Sequence, residues 1–128
     1  MFLFLTLFLF LGSAHVLLVF LVTNQAGIAR GYYTEDDVNA LHGWMCRELA
    51  KAGAHLDGIA YCAFHPEGTV ERYRKVSEHR KPGPGMLRQF IADWPIDLSQ
   101  SFMVGDRLTD LEAAAAAGVP GHLFRGGN

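Results

Sequence analysis

Three short polar clusters, each beside an apolar run, carry the residues of this 128-residue chain that could do chemistry. Thr23-Asn24-Gln25 presents a hydroxyl and two amides, groups that can donate hydrogen bonds to phosphoryl oxygens. Arg80-Lys81 sets two cations just ahead of a helix opened by Pro84, where free N–H groups and positive charge together suit an anion. Gly105-Asp106-Arg107-Leu108-Thr109-Asp110 follows an apolar run directly. Its glycine lets the chain turn, Asp106 then stands where a hard divalent cation could use its oxygens, and Asp110 lies one helical turn on, facing the same side. Each cluster taken alone has a plainer explanation. Asn and Thr make turns, Arg80-Lys81 can be a solvated charge pair, and Asp106 can cap the helix that follows. The order hydroxyl, lysine, acidic turn at three successive strand ends is what points to a phosphoryl group and a metal.

The elements that must position these clusters alternate. Val16 to Val22 reads as a β-prone run ending abruptly at polar residues, as a strand buried on both faces of a parallel sheet would. A glycine-containing loop follows to Gly31. Thr34 then caps a helix with acids in its first turn and Val38, Leu41, Met45 and Leu49 at helical spacing, to about Lys51 with Gly53 as its stop. Leu56 to Cys62 is expected as a second strand, Phe64 to His79 as an irregular polar loop or flap, and Met86 to Asp93 as a helix. Ser101 to Val104 is expected as a strand, Leu108 to Ala117 as a helix closed by Gly118, and Val119 to Phe124 as a last strand. Strands alternating with helices give an α/β fold with a parallel, Rossmann-like sheet and crossover helices. In such open sheets ligands sit outside the carboxyl ends of the strands, where the clusters lie.

Composition narrows the field further. Eleven Lys and Arg against thirteen Asp and Glu give a net charge of -2, without the basic excess that nucleic acid or anionic lipid requires. Two cysteines, Cys46 and Cys62, are far short of a disulfide scaffold and fit a reducing compartment. Every Asp, Glu, Lys and Arg lies at or beyond Arg30. Residues 1–14, mostly a Leu/Phe run, therefore stand apart from a domain over residues 15–128. A signal peptide would explain the apolar run but lacks a basic start, and residues 1–22 have roughly the ~20-residue length of a membrane span. Neither accounts for the strand-like ending at Thr23.

The stretches Thr23 to Gly31, Arg80 to Met86 and Met103 to Asp110 resemble the haloacid-dehalogenase-type phosphatases, in particular the D-glycero-D-manno-heptose 1,7-bisphosphate 7-phosphatase and histidinol-phosphatase family, over Val16 to about Phe124. The resemblance implies a Mg²⁺-dependent, cytoplasmic phosphoric monoester hydrolase acting on a small sugar phosphate through an aspartyl-phosphate. Thr23 and Lys81 would be its catalytic residues, Thr23 holding the transferring phosphoryl group and Lys81 stabilising the intermediate, and Asp106 would ligate Mg²⁺. Thr23, Asn24, Gln25, Ala26, Arg80, Lys81 and Arg107 would bind the substrate.

Two departures qualify that picture. The family's nucleophile and general acid/base are the aspartates of an Asp-x-Asp motif upstream of the Thr-Asn-Gln motif, and no aspartate here precedes Asp36. Glu35 begins a helix beyond the Thr23 loop and cannot take their place. A phosphoenzyme needs one carboxylate in line with phosphorus and another to protonate the leaving oxygen, so the chain should bind better than it turns over. Many members also hold zinc in the long loop. Here Cys62 is kept, but Phe64, Ser77 and His79 stand at the other positions, so no zinc is expected, and His65 reads as a loop residue. The leading expectation is a sugar-phosphate phosphatase domain lacking its first catalytic strand, with β-strand 16–22 left at an exposed, aggregation-prone edge. Non-catalytic phosphosugar binding, a membrane-tethered remnant and a phosphate-accepting receiver domain are the other readings, the last also wanting an early acidic cluster.

Overall fold

The β-branched and aromatic run after His15 forms the strand its composition favours, extended to His15–Asn24 (β2). The computed structural model describes residues 5–11 and 15–126, with side chains from residue 17 onward. Phe20, Leu21, Val22 and Thr23 are all buried. Successive strand residues point to opposite faces, so this end of β2 is covered on both. β3 (Gly58–Cys62) runs parallel to β2, pairing Phe20 with Gly58 and Asn24 with Cys62. The strand starts at Gly58 rather than Leu56, just after the Asp57 carboxylate accepts the Val19 N–H at 2.8 Å and the Asp57 N–H donates to the Val19 carbonyl at 2.7 Å. A Cβ on Gly58 would come within 2.7 Å of the Phe90 ring. Glycine there lets Phe20 and Phe90 lie with centroids 4.5 Å apart at the centre of the core.

β4 (Phe102–Gly105) and β5 (Gly121–Leu123) form a second parallel pair. The expected parallel pairing is found in β2–β3 and β4–β5, whereas the expected open edge on β2 is corrected. Residues Leu5–Leu11 form β1, which lies between β2 and β4 and is antiparallel to both, giving the order β3-β2-β1-β4-β5. Only three residues separate β1 from β2, too few for the crossover that parallel neighbours need. β2 is therefore flanked on both sides. The region expected as one apolar segment apart from the domain is, over Leu5–Leu11, part of its sheet, while residues 1–4 and 12–14 lie outside the described residues. Among the described residues no helix is long and apolar enough to cross a membrane.

The loop after β2 contains a single helical turn, α1 (Ala26–Ala29), too short to leave a periodic signature in the sequence. α2 (Glu35–Lys51) starts at the expected Thr34 cap, whose hydroxyl accepts the Asp37 N–H at 3.1 Å while Asp37 accepts the Thr34 N–H at 2.9 Å. α3 (Gly85–Asp93) packs Met86, Leu87 and Phe90 into the cluster with Phe20, Val22 and Met103. α4 (Leu108–Ala116) lays Ala113 and Ala114 on the same core, and Gly118 at φ 81° ends it in the left-handed conformation that favours glycine. The 64–79 segment is irregular apart from a 3₁₀ turn at Glu71–Tyr73, where Tyr73 joins a second cluster with Ile28, Ala29, Val38 and Ala63.

Candidate functional site

The three polar clusters meet at one edge of the sheet. β2 delivers Thr23 and Asn24, β4 delivers Asp106, and the loop before α3 brings in Lys81. This lysine is buried, its ammonium donating to Asp110 Oδ1 at 2.7 Å and to the Val22 carbonyl at 3.2 Å. Burial pushes its pKa down to about 8, against the opposing pull of the Asp110 carboxylate. The Lys81 backbone is held by Asn24, whose Nδ2 donates to the Lys81 carbonyl at 3.1 Å and whose Oδ1 accepts the Lys81 N–H at 3.0 Å.

The glycines around this lysine are there because backbone and side chains pass too close for anything larger. A Cβ on Gly83 or Gly85 would strike the Glu78 carbonyl, and one on Gly105 would strike the Asp110 side chain. Gly85 donates its N–H to Glu78 at 2.9 Å and Gly83 its own to Arg80 at 2.7 Å. The expectation of free N–H groups converging ahead of α3 is thus corrected at these two positions, because the tight loop satisfies them internally.

At the β4 end, Asp110 accepts from Lys81 through one oxygen and from the Arg107 N–H through the other, at 3.0 Å. Arg107 occupies the cap position of α4, so Asp106 is not the cap that the plainer reading gave it. Asp106 Oδ1 is instead buried without a hydrogen-bond partner among the described residues, as is Arg80 Nη1. An orphaned carboxylate oxygen at a strand end is a donor that a hard divalent cation would satisfy, so Asp106 fits Mg²⁺. Among the described residues there is no group of three or more His, Cys, Asp or Glu that could hold a metal ion.

Thr23 is buried and accepts from Gln25 Nε2 at 3.2 Å, while Gln25 Oε1 accepts from the Tyr33 hydroxyl at 2.6 Å. Gly27 leaves room for that tyrosine, since a Cβ there would overlap its ring. Ala26 opens α1, and the Arg107 side chain is exposed beside Asp106. Cys62 is buried at the end of β3 with its thiol 3.9 Å from the Phe64 carbonyl, and His65 Nδ1 accepts the Glu67 N–H at 3.0 Å within the loop.

One charged cluster escaped the sequence reading because its members are far apart in the chain. Glu35 accepts from the Tyr61 hydroxyl at 2.8 Å and from the Tyr73 hydroxyl at 2.6 Å, tying α2, β3 and the irregular loop together. These bonds, that of Tyr73 foremost, hold the Glu35 carboxyl below its usual range, while burial and the carboxylate push Tyr61 up to about 12. A depressed carboxyl contributes stability above its unfolded pKa that is lost as pH falls through the folded value. Glu35→Gln is therefore expected to loosen residues 64–79 at pH 7 and to remove the acid-dependent part of that loosening below about pH 4.5, as read by proteolysis or amide exchange of the loop. Equal protection in wild type and variant at every pH would show that the phenols do not hold the loop.

A family model described as HAD-hydrolase-like matches residues 78–128. A D-glycero-β-D-manno-heptose-1,7-bisphosphate 7-phosphatase of Rhodopseudomonas palustris is 53% identical over 108 residues, covering 84% of this chain and 60% of that protein. A D-glycero-α-D-manno-heptose-1,7-bisphosphate 7-phosphatase of Burkholderia mallei is 46% identical over 110 residues, 84% of this chain and 58% of its own length. The crystal structure of the D,D-heptose 1,7-bisphosphate phosphatase of B. bronchiseptica, complexed with magnesium and phosphate, is similar at a TM-score of 0.72 and 39% identity, over 81% of this chain and 54% of that one. A crystal structure described as that of a HAD-like phosphatase of Mesorhizobium loti reaches a TM-score of 0.78 at 37% identity, over 84% and 52%. The chain thus spans between half and three fifths of the relatives it matches.

Proposed function

We propose that this chain is part of a haloacid-dehalogenase-like phosphatase, as its similarity to the heptose-bisphosphate phosphatases supports, and that its strand-end cluster holds the phosphoryl group of a small sugar phosphate of the D-glycero-D-manno-heptose 1,7-bisphosphate type. The observation that carries the proposal is the buried Lys81–Asp110 pair, 2.7 Å long, set beside Thr23 and beside an Asp106 oxygen that lacks a partner. Burying an ammonium is costly, and a structural core of this kind is served as well by apolar residues; a buried cation at a strand edge is more useful to an anionic ligand.

In this reading the Thr23 hydroxyl, which accepts from Gln25 Nε2 at 3.2 Å and donates at 3.4 Å to the Asn24 carbonyl, turns that long, weak donation to a phosphoryl oxygen. Lys81 supplies positive charge beneath the phosphoryl group, and Arg80 and Arg107 at the rim attract the rest of the substrate. Asp106 holds Mg²⁺, which when bound neutralises phosphoryl charge. Zinc is given no part in this reading, since Phe64, Ser77 and His79 stand at the positions that would complete a site with Cys62. Two unpaired cysteines are consistent with a reducing, cytoplasmic setting.

The described part of β1 holds only Leu, Phe and Thr, and the sequence has no aspartate before Asp36, which favours binding over turnover for these 128 residues. Binding without catalysis is thus the expected behaviour of this chain, and phosphate hydrolysis that of a chain with the Asp-x-Asp strand. Titration calorimetry with inorganic phosphate in Mg²⁺ tests it: wild type should bind, and Thr23→Val, which keeps the shape, should not. Asp106→Asn should weaken Mg²⁺ binding by roughly tenfold or more, whereas Asp110→Asn acts through the Lys81 ion pair. Phosphate affinity unchanged by Thr23→Val and Lys81→Ala would overturn the proposal.

A further inference from the structure

The resemblance assigns Asn24 to the ligand, yet both polar atoms of its side chain already have partners. Nδ2 donates to the Lys81 carbonyl at 3.1 Å and Oδ1 accepts the Lys81 N–H at 3.0 Å. A primary amide that closes a ring of two hydrogen bonds on another residue's peptide groups imitates one rung of a β-ladder, and it does so here across 57 residues of chain. Three further facts show what this rung fixes. The Lys81 side chain is 2% exposed, so its path from backbone to ammonium is set by packing once the backbone is placed. Its ammonium touches the Val22 carbonyl, two residues before Asn24 on the same strand. The loop that carries Lys81 is tight enough that Gly83 and Gly85 admit no Cβ, so the backbone has little room to shift without losing the rung.

We propose that Asn24 is a positioning residue, not a ligand contact: it locks the Lys81 backbone against the end of β2 and thereby sets the ammonium in its buried place beside Asp110. This deepens the proposed function and rests on it only for the purpose of Lys81, not for the lock itself. Gln25, next in sequence, is engaged with Thr23 and Tyr33 and plays no part in holding Lys81.

The chain has three lysines, Lys51, Lys75 and Lys81, of which only Lys81 is buried, so lysine acetylation read by mass spectrometry reports on the lock directly. Wild-type Lys81 should react far more slowly than Lys51. Asn24→Ala should speed its acetylation by roughly tenfold or more, the scale of two lost hydrogen bonds at a buried segment. Asn24→Asp, of the same shape and still able to accept the Lys81 N–H but with an acceptor facing the Lys81 carbonyl, should fall between. Gln25→Ala should leave Lys81 protected. The buried Cys62 thiol serves as the internal control for the fold. The lock is supported if Lys81 opens while Cys62 stays unreactive. It is overturned if Lys81 remains protected in Asn24→Ala, or if Cys62 and Lys81 open together in both Asn24 variants. Phosphate binding is measured alongside, in separate samples. If wild type binds no phosphate while the acetylation pattern holds, the proposed function fails and the positioning role stands.

Discussion

Asp110→Ala is expected to destabilise the fold by about 3–5 kcal/mol, a large part of the ~5–15 kcal/mol that holds a typical domain. The loss comes from leaving the Lys81 ammonium in the core without the carboxylate it touches at 2.7 Å. The Lys81→Met, Asp110→Leu double replacement, which removes both charges, should recover most of it, because the desolvation cost of the pair disappears together with its attraction. Gly105→Ala should act in the same direction without altering any charge, since its Cβ would displace the Asp110 side chain. A pH effect accompanies the pair. The folded pKa of Lys81, about 8, lies below the ordinary 10.5, so the folded chain binds fewer protons than the unfolded one between those values. Stability therefore rises with pH across that window, by about 2 kcal/mol between pH 7 and 9.5, and Lys81→Met should remove the rise. Tyr61 and Tyr73, with pKa values raised, oppose it only at higher pH, as they start to ionise in the unfolded chain. Urea midpoints at pH 7 and 9.5 for wild type and the variants decide the matter; a wild type insensitive to pH there would mean that Lys81 is not buried as an ammonium.

The largest expected change in activity comes from supplying carboxylates. As it stands, the chain should release no phosphate from D-glycero-D-manno-heptose 1,7-bisphosphate, since nothing in β1 can accept a phosphoryl group or protonate the leaving oxygen. Replacing residues 1–14 by a strand of the opposite direction that ends in Asp-x-Asp, level with Thr23 and Gly105, should raise turnover by several orders of magnitude. Positioned proton transfer alone contributes roughly 10²–10⁴-fold, and a covalent intermediate divides the difficult step. β1 now runs antiparallel to both neighbours, pairing Leu5 with Leu21 and with Val104, so point substitution within it would not reproduce that geometry. A phosphate-release assay on both chains is the check. Turnover by the unmodified chain that Lys81→Ala abolishes would show that a carboxylate outside this account does the work.

Local signals carried much of this structure. The Thr34 cap, the helical spacing from Val38 to Leu49 and the glycine stops at Gly53 and Gly118 depend on residues within a turn or two of one another, and each appears where the sequence places it. The strand of residues 16–22 was legible because its run is unbroken in apolar residues, and its end from Phe20 to Val22 is buried on both faces although Leu17 is exposed. β1 was not, since a Leu/Phe run has no period to separate strand from helix, and its place between β2 and β4 depends on partners 14 and 97 positions away, Phe20 and Met103 for Thr6. The α1 turn is too short to show. At the site, residue types located Thr23, Lys81 and Asp106 at the sheet edge. What they could not show is which polar groups are already engaged: the Asn24 amide on Lys81, the Asp110 carboxylate on Lys81 and Arg107, and Glu35 on two distant phenols.

Thr23, Lys81 and Asp106 are proposed to form one phosphate and magnesium site, and a crystal structure of this chain grown with Mg²⁺ and inorganic phosphate decides whether they do. Phosphate oxygens are expected within about 3 Å of Thr23 Oγ1 and Lys81 Nζ, and the metal on Asp106 Oδ1 at about 2.1 Å. Phosphate bound elsewhere, with Lys81 still closed on Asp110 and Asp106 Oδ1 still without a partner, would contradict it.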